Sequence, residues 1–257
     1  MPSEILKRVG VPGRGRHYKL PSGEVVPSVT NVLSVSPKPG LIPWAAVRER
    51  TKCIEAARVL NTEGHLEGAK YLLELVKRIG EKRRHEELLD EAAAFGFELH
   101  AWIEYHIRGG EKNSRQKIPP VTVTGHAISN WLRWWEAAGI LPLYMEKRVH
   151  SLELGVAGTL DMAGIQKVDG RNIIFDWKSS NALRLEALIQ TAVYMQCVFE
   201  CKLIPDLDGA HYLHGAVVRV PKQADQDVEI ECIDSKEKLD GLLETFRALK
   251  LVWERFA

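Results

Sequence analysis

The stretch from Gly155 to Tyr194 reads GVAGTLDMAGIQKVDGRNIIFDWKSSNALRLEALIQTAVY, and the rest of the chain is interpreted from it. Within it, an apolar run ends in Asp176-Trp177-Lys178, and Asp161 ends an earlier strand-like run. Side chains alternate between the two faces of a β-strand, so Asp176 and Lys178 are predicted to share one face and Trp177 the other. Adjacent antiparallel strands lie about 4.8 Å apart, which lets the two carboxylates converge.

Two carboxylates and a lysine at one strand end can hold a divalent metal and act on a phosphodiester. Carboxylate oxygens bind Mg²⁺ or Mn²⁺, and a lysine can steady developing charge or the attacking water. The competing interpretation is a surface Asp–Lys ladder, because Asp-x-Lys is a common pattern. The order of features favours the catalytic interpretation: a Gly-Thr pair precedes Asp161, and a helix carrying Gln190 and Tyr194 one turn apart follows Lys178.

The composition excludes several classes of protein. The chain has 257 residues, of which 45% are hydrophobic and 27% are charged, as in ordinary globular proteins. Its formal net charge is +1, so a nucleic-acid site must rest on local charge. We expect no membrane span and a reducing, cytoplasmic setting, in a bacterial or phage-infected cell. Four scattered cysteines are too few for a disulfide framework: Cys53, Cys197, Cys201 and Cys232.

The hydrophobic pattern predicts one α/β domain over residues 1–257, with a mostly helical part over 1–140 and a catalytic sheet with a closing helix over 141–257. A hairpin is predicted at residues 17–26. Helices are predicted at 43–60, 66–79, 86–108, 124–138, 185–201 and 235–256. Strands are predicted at 144–150, 156–165, 172–178, 212–220 and 228–233, the first three as an antiparallel meander.

Two N-terminal features allow both a structural and a nucleic-acid interpretation. Ser28 and Thr30 precede an apolar segment, so they form either a plain helix cap or a phosphate contact at a helix start. A basic cluster is either a solvated helical face or a phosphate-binding segment. Its members are Lys77, Arg78, Lys82, Arg83, Arg84 and His85.

Two aromatic features are also ambiguous from the pattern alone. His100 shares a helical face with Gly96 and Glu104, and a lone histidine there is more often a satisfied core or surface residue. Three tryptophans recur in the helix predicted at 124–138. Aromatic residues at this spacing are usually core, and base stacking is the alternative.

At these residues the sequence resembles the PD-(D/E)XK nuclease superfamily, in its RecB-like exonuclease branch, which includes phage exonucleases and a mitochondrial genome-maintenance exonuclease. The resemblance runs from residue 27 to about residue 200, and its ordered motifs make it specific. They are Pro27-Ser28-Val29-Thr30, Gly96-x-x-x-His100, Gly158-Thr159-Leu160-Asp161, Phe175-Asp176-Trp177-Lys178-Ser179-Ser180 and Gln190-x-x-x-Tyr194, with Glu146 resembling an acidic residue of the first core strand.

The resemblance implies a restriction-endonuclease-like core, that is, a mixed central sheet flanked by helices, with a helical N-terminal half. It implies catalytic roles for Asp161, Asp176 and Lys178, and one or two Mg²⁺ or Mn²⁺ ions bound by His100, Asp161, Asp176 and the Trp177 carbonyl. The implied DNA contacts are Ser28, Thr30, Ser179, Gln190 and Tyr194, to which the basic cluster adds Lys82, Arg83 and Arg84. Glu146 would support the site.

The expected activity is therefore metal-dependent exonuclease cleavage of single-stranded DNA or DNA ends, in repair, recombination or replication. A ring-forming exonuclease that degrades duplex DNA and a nucleic-acid-binding module with a decayed site stay open as alternatives. Residues 51–87 could form an arch that admits a single strand. Some relatives bind an iron–sulfur cluster through four cysteines, but the spacing here argues against one and favours buried, inert thiols. A monomer is the favoured oligomeric state.

Overall fold

The computed structural model describes residues 6–11, 15–36, 38, 40–63, 68–80, 83–110, 125–205, 207, 209 and 213–256. The chain forms two compact units. The sheet unit comprises Met1–Ser36 and Gly96–Ala257, and the helical unit comprises Pro37–Phe95. None of the helices in the described part of the chain has the length and apolarity needed to cross a membrane.

The sheet unit begins with a small antiparallel sheet. Its three strands pair in chain order: β1 (Lys7–Val11), β2 (Gly15–Lys19) and β3 (Val25–Pro27). The β2–β3 pair is the hairpin predicted from the sequence, whereas β1 was not predicted. The one-turn helix α1 (Val29–Val32) follows, and its N-cap residue, Ser28, accepts a hydrogen bond from the Asn31 backbone.

The helical unit contains α2 (Leu41–Glu63), α3 (Gly68–Ile79) and the start of α4 (Arg84–Ile107). The predicted helices at 43–60, 66–79 and 86–108 are confirmed, with ends displaced by a few residues. The N-terminus of α4 is capped from α2, because the Glu49 carboxylate accepts a hydrogen bond from the His85 backbone N–H at 3.0 Å. That bond is the main reason why the pKa of Glu49 falls to about 2.

The rest of the sheet unit is a five-stranded mixed sheet with helices, as predicted for an α/β chain. After α5 (Gly125–Ala138), the chain forms β4 (Ile140–Ser151), β5 (Val156–Gln166), β6 (Asn172–Lys178), α6 (Leu185–Glu200), β7 (His214–Arg219), β8 (Glu229–Ile233) and α7 (Lys236–Phe256). The strands lie side by side in chain order. Only β6 and β7 pair in parallel, with α6 as their crossover, and the other neighbouring pairs are antiparallel.

Helices cover both faces of this sheet. On one face, α6 and α7 share a core with Ile174 of β6, and nearly every side chain along the middle of α6 is buried. On the other face, Trp134 of α5 lies edge-on to both Phe175 and Trp177. Ile174 and Phe175 are consecutive in β6, so the alternation of side chains along a strand places them on opposite faces of the sheet.

Two sequence-based boundaries differ from the structure. Strand β4 begins at Ile140 instead of Tyr144, because β4 is an edge strand and its register shifts between Pro142 and Tyr144. Edge positions and bulges are where a proline is tolerated in a sheet. Asp161 does not end a strand. It lies in the middle of β5, so the carboxylates do not meet at a shared strand end.

Candidate metal and phosphodiester site

Strands β5 and β6 part where their two aspartates face each other. Their ladder ends at the pair Met162–Phe175, so Asp161 and Asp176 are the next residues in register. In place of a ladder bond, Asp161 Oδ2 accepts the Trp177 backbone N–H at 2.8 Å. The carboxylate thereby satisfies a buried backbone donor and holds the two strands at a fixed separation.

His100 of α4 lies against both strands. Its Nε2 is 2.9 Å from the Trp177 carbonyl oxygen, and its Nδ1 is 3.5 Å from Asp161 Oδ1. Burial lowers the pKa of His100, but the charge and hydrogen bond of Asp161, together with the charge of Asp176, raise the pKa overall. Burial likewise raises the pKa of Asp161, while His100 outweighs it and leaves the pKa lowered. With no metal bound, a protonated ring can donate to both oxygen atoms.

Gly96 lets α4 approach the strand end closely. A Cβ atom at this position would lie 3.1 Å from the Ser179 hydroxyl, which is tighter than an ordinary contact. Gly96 precedes His100 by one helical turn and Ser179 follows Lys178. The glycine therefore belongs to the packing that brings the histidine to the strands, and this explains the Gly-x-x-x-His spacing physically.

Asp176 and Lys178 form a buried ion pair on one face of β6, as strand alternation predicts. Lys178 Nζ lies 2.6 Å from Asp176 Oδ2, yet neither carboxylate oxygen accepts a hydrogen bond of good geometry from the described residues. Burial raises the pKa of Asp176 to about 6, with the ion pair offsetting part of this effect and Asp161 adding to it. Buried carboxylate oxygens with spare acceptor capacity suit a cation.

Lys178 stays protonated in this setting. Burial lowers its pKa, but the charges of Asp176 and Asp161 outweigh burial and raise it. A lysine with a raised pKa serves as a cation and hydrogen-bond donor, not as a base. Its Nζ also reaches Gln190 Oε1 at 3.4 Å, and Gln190 Nε2 lies 3.4 Å from the Tyr194 hydroxyl. Gln190 and Tyr194 therefore continue a polar chain away from the ion pair.

Glu146 is a third potential metal ligand beside His100 and Asp161. In the described part of the chain these three residues form a group with one ligand atom each, all within 4.8 Å of one another. The β4–β5 ladder pairs the residues on either side of Glu146 and Asp161 but does not pair these two residues with each other. Glu146 has φ +48°. This left-handed conformation is strained for a glutamate, and it interrupts β4 next to the site.

Arg108, which belongs to none of the sequence motifs, holds the backbone beside the strained Glu146. Its Nη2 donates to the Met145 carbonyl at 3.3 Å, and its Nε donates to Glu104 Oε1 at 2.8 Å. Arg108 directly follows the end of α4, one turn after Glu104 and two turns after His100, so the four-residue spacing pointed to Arg108 itself but not to its contact with Met145. Burial, together with Asp161, raises the pKa of Glu146 to about 7, although the side chain retains access to solvent.

The donor set fits a hard or borderline divalent cation. It offers carboxylates from Asp161, Asp176 and Glu146, the Trp177 carbonyl and one imidazole. Carboxylate and carbonyl oxygens suit Mg²⁺, and an imidazole makes the set somewhat better for Mn²⁺. A protonated His100 ring places positive charge where the ligand atoms meet. Histidine binds a metal only as the neutral ring, so metal binding would require His100 to lose this proton.

The predicted DNA contacts fall into separate groups. Ser28 is buried and caps α1, its hydroxyl 3.1 Å from that of Thr30, which is exposed. Ser28 therefore has the geometry of a plain helix cap. Arg83 and Arg84 lie near acidic residues of α4, and Lys82 lies outside the described residues.

The tryptophans of α5 and the cysteines have mostly structural surroundings. Trp131 is fully buried and stacks on Trp135 with ring centroids 5.1 Å apart, which confirms the core interpretation for Trp131. All four cysteines are free thiols. Cys197 is buried as predicted, but that prediction is wrong for Cys53 and Cys232, which are exposed.

Comparison with known proteins adds no assignment to this geometry: no protein-family model matches the chain, and no curated protein matches it significantly.

Proposed function

We propose that the protein is a metal-dependent deoxyribonuclease that hydrolyses phosphodiester bonds, acting as an exonuclease on single-stranded DNA or DNA ends. One observation carries the proposal. Asp161, Asp176, Lys178 and His100, on three different elements, form one cluster in which both aspartates are buried, Asp176 has spare acceptor capacity and Lys178 supplies a half-buried cation. Both aspartates are buried, which distinguishes this cluster from a solvent-exposed Asp–Lys ladder.

The proposed core is restriction-endonuclease-like, and the proposed family is the RecB-like branch of PD-(D/E)XK nucleases. The mixed sheet, the antiparallel β4–β5–β6 order and the crossover helix α6 support this assignment, since Asp161, Lys178 and Gln190 on β5, β6 and α6 lie in one connected set of contacts. We propose a cytoplasmic site of action in a bacterial or phage-infected cell, in DNA repair, recombination or replication.

Each residue has a distinct role in the proposed reaction. Asp161, Asp176, His100 and the Trp177 carbonyl would hold Mg²⁺ or Mn²⁺, with Glu146 supporting them, and the bound ion would lower the pKa of water and stabilise phosphate charge. Lys178 acts as a cation, because its raised pKa keeps its proton in place. It orients the attacking water and stabilises negative charge on the phosphate oxygens.

Gln190 and Tyr194 keep Lys178 in position. Gln190 contacts both the Lys178 ammonium and the Tyr194 hydroxyl, and Tyr194 packs directly over Gly158 of β5. Burial and the two aspartate charges raise the pKa of Tyr194 well above its usual value, so its phenol stays neutral. A neutral phenol can donate a hydrogen bond to a phosphate oxygen without adding negative charge.

The test is release of nucleotides from single-stranded DNA in the presence of Mn²⁺ or Mg²⁺. Oligonucleotides labelled at the 5′ end or at the 3′ end would report strand polarity, and a circular substrate would separate exonuclease from endonuclease action. Lys178→Ala should reduce the rate at least 100-fold, since electrostatic stabilisation of this kind is worth roughly 10²–10³ in rate. Lys167 is an exposed lysine that directly follows β5, and Lys167→Ala is the matched control.

Equal rates for the wild-type protein and Lys178→Ala would refute the proposal. A decayed binding module would show no cleavage by the wild-type protein and no thermal stabilisation by Mn²⁺. A duplex-degrading ring enzyme would prefer blunt duplex over single-stranded substrate.

A further inference from the structure

The small N-terminal sheet carries a dense positive charge. Residues 6–20 contain five lysines or arginines and no acidic residue, in a chain whose net charge is only +1. Four of the five are described, and all four are exposed. We define the basic hairpin as the β1–β2 pair with these side chains: Lys7, Arg8, Arg16 and Lys19.

The register of the basic hairpin places like charges side by side. Lys7 pairs directly with Lys19, so the two side chains share one face of the sheet at neighbouring positions. Like charges in this arrangement are destabilising unless something neutralises them. Among the described residues, none forms an ion pair with Lys7, Arg8, Arg16 or Lys19.

The basic cluster of the helical unit is different, because its described side chains have acidic neighbours within their own unit. Arg78 lies 3.5 Å from Glu74, and Arg84 lies 3.2 Å from Glu87. Arg83 lies 3.8 Å from Glu86. Most of the described charge at residues 77–85 is thus balanced locally, whereas no described acidic residue forms an ion pair with the basic hairpin.

The basic hairpin is anchored to the strand that carries Asp161. The Tyr18 hydroxyl lies 3.3 Å from the hydroxyl of Thr159, two residues before Asp161. Tyr18 is almost fully buried in a small core with Ala157 of β5, and Ser28 forms a bridge with the same Ala157. The basic hairpin therefore has a defined place at the border of the candidate site, within the same compact unit.

We propose that the basic hairpin binds the phosphate groups of a single-stranded nucleic acid whose end reaches the Asp161–Lys178 cluster. This inference rests on the proposed function for the choice of polymer. A nucleic-acid strand offers one negative charge per nucleotide, which complements several unpaired cations on one short hairpin. An anionic membrane offers similar charge, but the anchoring of the hairpin next to Asp161 favours the strand.

The experiment measures binding without cleavage. A fluorescein-labelled 12-nucleotide oligothymidylate is titrated with the full-length protein in EDTA at several salt concentrations, and fluorescence anisotropy gives the dissociation constant. Lys7→Gln/Lys19→Gln is the test variant, and Lys167→Gln/Lys236→Gln, which removes two exposed lysines outside the basic hairpin and the candidate site, is the matched control. Each phosphate contact to a single strand contributes a slope of about −0.7 in log affinity against log salt.

Removing two contacts should therefore make the salt slope shallower by about 1.4 and weaken binding roughly 10- to 30-fold near 0.1 M salt. The control variant should bind within about twofold of the wild-type protein. The melting temperature of the test variant should equal or slightly exceed that of the wild-type protein, because a like-charge pair is removed. An equal loss with an RNA 12-mer would support recognition of the phosphate backbone itself.

Unchanged affinity and slope for Lys7→Gln/Lys19→Gln would overturn the inference, as would binding to phosphatidylserine vesicles without binding to oligonucleotides. Failure of the proposed function is distinguishable from both. If the basic hairpin binds DNA but Lys178→Ala leaves cleavage unchanged, the nuclease proposal fails and the phosphate-binding surface stands.

Discussion

At the residue scale, protons would compete with the proposed metal ion for the same ligand atoms. His100 contacts Asp161 and the Trp177 carbonyl through its two ring nitrogens, and its raised pKa favours the protonated ring. Asp176 and Glu146 also hold protons more tightly than ordinary carboxyl groups do. Metal binding requires deprotonated ligands, so it must release these protons.

We predict that thermal stabilisation by Mn²⁺ increases between pH 5.5 and pH 8. The pKa of Asp176 is raised to about 6 and that of Glu146 to about 7, so the carboxyl groups are partly protonated at the lower pH and ionised at the higher pH. Stronger binding at high pH raises the melting temperature more. Differential scanning fluorimetry with and without Mn²⁺ measures this shift.

Glu146→Gln is the comparison for that experiment, because it removes one of the titrating groups. Its Mn²⁺-dependent shift should be smaller and should depend less steeply on pH, and the remaining pH dependence should come from Asp176 and His100. A shift that is independent of pH in the wild-type protein would mean that these carboxyl groups do not bind the ion.

Arg108 is predicted to act on metal binding through Glu146. It fixes the Met145 carbonyl next to the strained Glu146, so losing it should let that backbone relax. Arg108→Ala should weaken Mn²⁺ binding about tenfold or more, as is typical when a partner that orients a ligand is removed. Isothermal titration calorimetry gives the affinity, and the Mn²⁺ electron paramagnetic resonance spectrum reports the change in coordination.

A double-mutant cycle separates this role from general destabilisation. In a Glu146→Gln background, Arg108→Ala should cause little further loss, since its effect passes through Glu146. Arg247→Ala, which removes an exposed ion pair with Glu153, is the control. Additive losses in the double mutant would contradict the prediction.

At the element scale, α6 packs so closely on β5 that the strand needs a glycine. A Cβ atom at Gly158 would lie 2.6 Å from Tyr194 Cε1 and 2.8 Å from its hydroxyl oxygen. The Tyr194 ring is buried, so it has little room to move away. Packing against Tyr194 therefore requires the glycine of the Gly-Thr pair before Asp161.

Gly158→Ala should destabilise the protein by about 1–3 kcal/mol, the usual cost of overpacking a core. Urea unfolding followed by circular dichroism measures the change. Gly10→Ala on β1 is the control, because a Cβ atom there meets nothing within 4 Å and should be nearly neutral. Equal stability of Gly158→Ala and wild type would show that Tyr194 can move aside without cost.

At the scale of the whole molecule, the candidate site is assembled from one chain. All of the proposed ligands come from β4, β5, β6 and α4 of the sheet unit. We therefore expect a monomer of 29.0 kDa by multi-angle light scattering. A mass several times larger would favour the ring-forming alternative, and the exposed apolar side chains of α3 would then be candidates for the contact: Leu72, Leu73 and Val76.

Local periodicity made part of this protein predictable. The alternation of side chains in β6 is a property of any strand, so the shared face of Asp176 and Lys178 and the opposite face of Trp177 followed from three consecutive residues. The helices and most strands were predicted for the same reason. The hairpin turn between β5 and β6 also made their antiparallel pairing predictable.

Contacts between distant residues depended on the tertiary structure. His100 meets a carbonyl that is 77 positions away, and no periodic pattern carries that information. From the pattern alone it looked like an ordinary helical histidine, and only the resemblance to a nuclease family promoted it. The contact of Arg108 with Met145 and the strained backbone of Glu146 were likewise invisible to pattern analysis.

The distribution of charge shows the same division. The sequence alone determined where basic residues are dense, at residues 77–85 and on the N-terminal hairpin. Only the folded chain decided which of them are neutralised, because ion pairing depends on which acidic side chains packing brings within about 4 Å. Sequence thus determined the elements and the faces of their side chains, whereas packing decided which faces meet and which charges remain free for a ligand.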